Sequence, residues 1–459
     1  MPKVSVLMPS LNVAAYIREC MDSVVGQTLK DMEIICIDAG STDGTLDILR
    51  EYQERDSRIR VLVSEKKSYG YQMNLGLREA KGAYIGIVET DDYVESEMFA
   101  DLYEKAAEWD ADFVKSDFDV FTTMQDGQRL FLRYSLKRFS KVEYDRPVTY
   151  KDYLSGAKTV DIFTWNGIYK KSFLEKHHIL FQETPGAAYQ DCGFRYQTAM
   201  WVRCGIFSNR SYYRYRRDNA ESSMYNRKAV IFNLSEHNYL AGIAKRDHWD
   251  RERLAFLARE AVFIATSPYV DLLSWTEPAE GTGEAIDAFR DILRRYIAEG
   301  FLTPKTDVWG SWLELRLFIE DPECYRRYTA VKNKIKKEQN MALLHAVEAR
   351  KEVIVFGSGY AGACAYCRLR VNGIERVTAF CDNNVSKWNT TYMGLQVLSP
   401  SETVHRFPDA CYVIANMTRA GEMRMQLLSY GIREEQIVIY ESSIFPIDCT
   451  NIQKNRGRQ

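Results

Sequence analysis

The chain has 459 residues, which at ~150 residues per domain points to two or three domains. Lys and Arg number 61 against 63 Asp and Glu, a formal charge of −2, so no global field holds a polyanion and a dedicated nucleic-acid binder is excluded. Hydrophobic residues make up 46%, the balance of a globular protein, with no apolar run near the ~18 residues of a membrane span and no signal-peptide layout at the amino terminus. The expected setting is cytoplasmic.

In chain order, β-rich runs at Val4–Met8, Glu33–Ile37, Ile59–Val63, Tyr84–Val88 and Phe113–Lys115 alternate with helical patterns at Ala14–Gly26, Thr45–Arg55, Gln72–Ala80 and Glu97–Trp109. That alternation predicts a parallel, twisted sheet with helices on both faces, where ligands gather beyond the carboxyl ends of the strands. Residues 116–225 are mixed and aromatic-rich. Residues 226–350 read mainly helical, at Arg253–Thr266, Gly283–Glu299, Ser311–Ile319 and Val331–Arg350. A basic run, Lys332–Lys337, reads as a solvated helix face; contact with anionic lipid is the second reading. A new α/β pattern begins at Glu352, with strands at Val353–Phe356, Val377–Cys381, Cys411–Ala415 and Ile437–Tyr440 and a tail over 446–459.

Ten cysteines spread over this length read as reduced thiols. Cys364 and Cys367 form a C-x-x-C on a predicted helix without a second pair for zinc, so they read as structural.

The chemistry concentrates at strand ends. The first strand runs into Met8-Pro9-Ser10-Leu11-Asn12, the second into Asp38-Ala39-Gly40-Ser41-Thr42-Asp43, and the fourth into Glu89-Thr90-Asp91-Asp92. Three carboxylates at the mouth of a buried sheet repel and resist desolvation; a divalent cation relieves both, and Mg²⁺ takes one or two carboxylates together with phosphate oxygens. With Asp38 at a neighbouring strand end, the pattern predicts a metal–diphosphate site.

The runs Val4–Asn12, Ile37–Gly44 and Gly82–Asp92 together resemble the inverting family-2 glycosyltransferases of the GT-A fold, whose bacterial members build capsule, lipopolysaccharide or other cell-surface glycans. The resemblance covers roughly residues 3–225 and implies a nucleotide-diphospho-sugar transferase domain over 1–225; the helical pattern then gives a segment over 226–350, and residues 352–440 resemble the small Rossmann-like domains appended to some bacterial glycosyltransferases, which gives such a domain over 351–445. It puts Pro9 and Asn12 in the donor pocket, with Asp38 reading the base and Asn74 and Gly76 near the nucleotide sugar. Glu89-Thr90-Asp91 matches the D-x-D motif, making Asp91 and Glu89 the ligands of a Mn or Mg ion, with Asp92 beside the sugar. Asp191 matches the second acid of the E-D motif, the catalytic base. Trp165 and Arg216–Asn219, with Ser222 and Ser223, match stretches lining the acceptor side and the diphosphate; Trp165 and Arg217 are counted with the donor. Ala39, Met73, Glu89 and Gln190 stand where many members carry Asp, Arg, Asp and Glu, which leaves the donor open; UDP is the expected nucleotide. The implied partners are a nucleotide sugar and a glycan or lipid-linked acceptor, the latter bringing the chain to the inner membrane face without spanning it. The helical segment offers a homodimer surface.

Gly357-x-Gly359-x-x-Gly362 follows a strand and opens a helix, and Asp382 ends the next strand, the context of a dinucleotide fingerprint. No Tyr-x-x-x-Lys follows, so a nucleotide or NAD is a secondary expectation. Two rival functions follow: an NAD-dependent sugar-nucleotide-modifying enzyme acting through this domain, and a glycan-assembly scaffold whose transferase site has decayed.

Overall fold

The computed structural model describes residues 1–219, 228–272, 279–308, 310–348, 350–416 and 418–440; the expected tail at 446–459 and Ser222 and Ser223 lie outside them. The chain divides into two compact units. One holds Met1–Asp119, Tyr134–Tyr215 and Asn219–Thr329, and the other Val120–Arg133, Arg216–Asp218 and Ala330–Gln459.

Among the described residues the longer sheet has β1 (Val4–Ser10), β2 (Met32–Asp38), β3 (Ile59–Val63), β4 (Tyr84–Ile87), β5 (Tyr93–Val94), β6 (Phe113–Thr123), β7 (Arg129–Tyr134), β8 (Gly167–Lys170) and β9 (Gly205–Arg216). The order is β3-β2-β1-β4-β8-β6-β9-β5, with β7 paired to β6. β1 and β2 are buried along their whole length, which is why they read as near-continuous apolar runs. Pairing is parallel from β3 to β4, as the alternation predicts. Beyond β4 the expectation of a parallel sheet is corrected: β8 pairs antiparallel with both β4 and β6. At the end of β8 the Lys170 N–H donates to the Asp112 carbonyl and the Lys171 N–H to the Ala83 carbonyl, tying the strand to both neighbours.

Helices at Ile17–Val25, Thr45–Arg55, Tyr69–Glu79 and Met98–Trp109 flank this sheet. Two glycines set how closely they approach. A Cβ on Gly86 of β4 would lie 2.5 Å from the Phe99 ring, and one on Gly70 would lie 1.9 Å from the Gln182 carbonyl oxygen. The Tyr69–Glu79 helix begins earlier than the pattern over Gln72–Ala80 suggests, because Ser68 caps it by accepting the Tyr71 N–H. Further helices lie at Gln190–Trp201, Ala229–Arg246, Arg251–Leu272, Thr282–Ala298, Trp312–Glu320 and Pro322–Glu348. Among the described residues no helix is long and apolar enough to cross a membrane.

In the second unit, β10 (Val353–Phe356), β11 (Val377–Cys381), β12 (Thr391–Tyr392), β13 (Leu395–Leu398), β14 (Cys411–Ile414) and β15 (Ile437–Ile439) form a sheet in the order β12-β13-β11-β10-β14-β15. All its pairs are parallel except β12–β13. Cys364 and Cys367 are fully buried on the Tyr360–Val371 helix, behaving as small hydrophobes.

Candidate active site

Register brings the strand ends together. Ser10 of β1 pairs with Asp38 of β2, and Leu7 of β1 pairs with Ile87 of β4, so Pro9, Asp38 and the Glu89–Asp92 turn meet at one rim. The Thr90 hydroxyl donates to the Pro9 carbonyl at 2.8 Å, and the Asp92 N–H closes the turn on the Glu89 carbonyl at 3.1 Å.

The three acids of the turn have different surroundings. Asp92 is 1% exposed and accepts the Tyr213 hydroxyl at 2.8 Å, while the same phenol oxygen accepts the Glu89 N–H at 3.0 Å. Asp91 is half-buried and accepts from the Asn219 amide at 2.8 Å. Glu89 accepts the Tyr69 hydroxyl at 2.7 Å. Burial pushes the Glu89 carboxyl up to about 8; the Tyr69 hydrogen bond opposes this, and the charges of Asp91 and Asp191 add to it. Glu89 therefore senses a charge from each side: one from its own turn and one from a helix a hundred residues later in the chain.

Asp191 sits in the first turn of the Gln190–Trp201 helix, entered through Tyr189 at φ 66°. Its carboxyl is raised by burial and pulled back by Arg195, then by backbone N–H groups and Lys115. The Arg195 Nε lies 3.5 Å from Asp191 Oδ2. Gln190 folds back on its own loop: its Oε1 accepts the Ala188 N–H at 2.7 Å and its Nε2 donates to the Thr184 hydroxyl at 2.9 Å and the Gly186 carbonyl at 3.1 Å.

The residues expected at the donor have the following surroundings. Asp38 is fully buried and accepts four hydrogen bonds, from Gly40 N, Ser41 N, Ser41 Oγ and Ser10 Oγ. A carboxylate has about four lone-pair sites, so Asp38 shapes the turn. Trp165 is 6% exposed, stacked on Tyr213 with centroids 4.0 Å apart and hemmed by Phe118, Phe163 and Tyr215. It backs the tyrosine that holds Asp92 and offers no face to a sugar. Asn74 uses its amide on the Phe181 backbone, accepting its N–H at 3.0 Å and donating to its carbonyl at 2.9 Å. Asn12, at φ 54°, ties two loops by accepting the Thr42 N–H and donating its own N–H to Ser41 Oγ, each at 2.9 Å. Arg217 belongs to the second unit, where its N–H donates to the Phe121 carbonyl at 2.9 Å.

Sequence reasoning missed Tyr69, Tyr213, Arg195 and Glu236. Glu236 is 1% exposed, accepts the Gly193 N–H at 3.1 Å, and is pushed up to about 8 by burial and then by the charge of Asp191. Only Arg195 carried a usable signal: it lies four residues after Asp191 on a predicted helix, the spacing of an ion pair.

At the second glycine turn, Gly357 adopts φ 119°, and a Cβ on Gly362 would lie 1.8 Å from the Gly357 carbonyl oxygen. No atom lies within 4 Å of a Cβ built on Gly359. Asp382 accepts the Ser358 N–H at 2.8 Å, the Ser358 hydroxyl at 2.6 Å and the Lys387 ammonium at 3.1 Å. Burial raises its carboxyl, but these hydrogen bonds and that of the Asn384 N–H outweigh it and hold the group below its ordinary value. The expectation of a ribose-binding acid is corrected: Asp382 is engaged by its own chain, and the NAD expectation loses its support.

Among the described residues no three His, Cys, Asp or Glu side chains cluster as a complete metal site. The donor set fits a cation that arrives with phosphate oxygens, since Mg²⁺ commonly takes only one or two protein carboxylates.

Residues 5–178 match the family model described as Glycosyl transferase family 2. It is 33% identical over 183 residues to the uncharacterized glycosyltransferase EpsJ of Bacillus subtilis, covering 40% of this chain and 52% of that protein. It is 30% identical over 223 residues to the cholesterol galactosyltransferase of Borreliella burgdorferi, covering 46% and 59%. The chain thus spans about half the length of these curated relatives. The structure of S. aureus TarS 1–349 in complex with UDP-GlcNAc superposes with a TM-score of 0.51 at 20% identity, covering 74% of this chain and 91% of that one, which shows a shared GT-A fold.

Proposed function

We propose that the chain is an inverting family 2 glycosyltransferase that moves a sugar from a nucleoside diphosphate, with UDP the first candidate, onto an acceptor hydroxyl in the synthesis of a surface glycan. The observation that carries this reading is that Glu89 feels both Asp91 and Asp191, two acids whose separate roles the reaction needs close together. The family match and the names of its relatives support the reaction class.

A divalent cation, when bound with the donor, would be held by Asp91 with Glu89 beside it and would neutralise the charge that builds on the leaving diphosphate. Asp92, fixed by Tyr213, limits where the donor sugar sits. Asp191 takes the proton of the acceptor hydroxyl as that oxygen attacks the anomeric carbon from the face opposite the leaving group, a general-base contribution of about 10²–10⁴ in rate. One displacement inverts the anomeric centre. Its raised carboxyl makes Asp191 a stronger base than an exposed aspartate while Arg195 keeps it from staying protonated.

Transfer and donor hydrolysis, assayed with and without Mn²⁺ for the wild type and Asp191→Asn, test the reading. The variant is expected to keep nucleotide-induced thermal stabilisation and lose transfer. Turnover retained by the variant removes Asp191 from the role, and a wild type inert toward every nucleotide sugar favours the decayed scaffold.

A further inference from the structure

We infer that Arg195 is a positioning residue for the transfer reaction: it fixes the Asp191 carboxylate from within the same helix and supplies its counter-charge. This rests on the reading of Asp191 as the base.

The geometry leaves Arg195 little other use. It follows Asp191 by one helical turn, and its side chain is 4% exposed, against 31% for that of Asp191. The guanidinium is anchored at both ends: one Nη donates to the Asp161 carbonyl at 3.2 Å, and the other lies 2.9 Å from Cys192 Sγ. Between them the Nε has no hydrogen-bond partner and faces Asp191 Oδ2 at 3.5 Å. Asp161 is itself buried and fixed by Lys115 at 3.1 Å and Asn166 at 2.8 Å. A buried fork anchored in this way cannot swing into solvent, so it stays beside Asp191, where its charge also lowers the buried Glu236 and Glu260 carboxyls.

The other groups facing Asp191 come from separate elements and do not replace it. Lys115 of β6 is paired with Asp161. Glu89, after β4, and Glu236, on the Ala229–Arg246 helix, are acids that themselves feel the charge of Asp191. Tyr69, on the Tyr69–Glu79 helix, and Tyr169 of β8 are buried phenols, both raised. Burial lifts the Cys192 thiol to about 12, so near neutrality it meets Arg195 uncharged. An opposite charge within ~4–6 Å lowers an aspartate by about one to three pH units. Without Arg195 the base would therefore stay protonated to a higher pH.

The experiment follows kcat and KM of the full chain from pH 5 to 9 for the wild type, Arg195→Gln and Arg195→Lys, with Asp191→Asn alongside. R195Q is expected to move the acid limb of kcat up by about one unit or more, so that turnover on the acid side of the limb falls about tenfold while the donor KM holds. R195K, which keeps the charge but loses the fork, is expected to return most of the limb. If R195Q does not fold, Arg195→Met fills the same buried channel without unsatisfied polar atoms and reads the same limb. A limb that stays in place in the neutral variant, with turnover lowered equally at every pH, reduces Arg195 to a packing role and overturns the inference. Full turnover by D191N instead overturns the reading of the base, a result distinct from an unmoved limb.

Discussion

Two strand-end turns of this chain contain similar ingredients and reach opposite outcomes. At the rim of the first sheet, Glu89 is raised to about 8 and Asp191 is raised as well. At the carboxyl ends of β10 and β11, Asp382 is lowered, with Ser358, Asn384 and Lys387 as its partners. Both read from sequence as acids just past a strand end. What separates them is whether the chain itself satisfies the carboxylate. An acid left under-satisfied near other acids stores a demand for a cation or a proton, whereas an acid with three donors of its own is a structural clamp. Asp38, four times hydrogen-bonded within the first site, shows that the distinction runs residue by residue.

Substitutions can break this contrast from either side. The largest effect is expected at Asp91: Asp91→Asn should lower transfer by about 10²-fold or more and abolish the Mn²⁺-dependent part of the thermal shift caused by UDP. Unchanged transfer would remove the acid turn from the reaction. Next comes Gly362→Ala, whose methyl would meet the Gly357 carbonyl at 1.8 Å. Overpacking of that kind costs about 1–3 kcal/mol, read as a lower denaturation midpoint of the second unit.

Glu89→Gln tests the stored demand directly. A carboxyl raised from 4.5 to about 8 binds its proton more tightly in the folded chain than in the unfolded one. The fold therefore loses stability as pH climbs through that window. In the absence of divalent cation the variant should melt about 2–4 °C above the wild type at pH 8 and match it near pH 4. The smallest effect is expected from Asp382→Asn. A lowered carboxyl stabilises the fold above its unfolded value of about 3.9 and stops doing so as pH falls. The variant should thus cost about 1 kcal/mol near neutrality and converge on the wild type in acid. Tight NADH binding by the wild type, lost in this variant, would contradict the clamp.

The parallel half of the sheet and the acidic turn at Glu89–Asp92 were legible because each is written locally, in a strand run and the residues just past it. The antiparallel half was not, because β8 pairs with β4 and β6 across stretches of chain whose residue pattern carries no signal of that pairing. The surroundings of Asp38, Trp165 and Asp382 were not legible for a related reason: a motif gives the residue type, but whether a carboxylate or a ring is already engaged depends on partners elsewhere, such as Ser10 for Asp38 and Tyr213 for Trp165. Tyr213 itself, 121 positions from Asp92, has no sequence signal at all.

Gln190 has a bearing on how this chain is redesigned. Its amide nitrogen points at the carbonyl oxygens of Thr184 and Gly186. Gln190→Glu would aim an anion at those oxygens and open the loop ahead of Asp191, so a charge added there in redesign would loosen the entry to the Gln190–Trp201 helix.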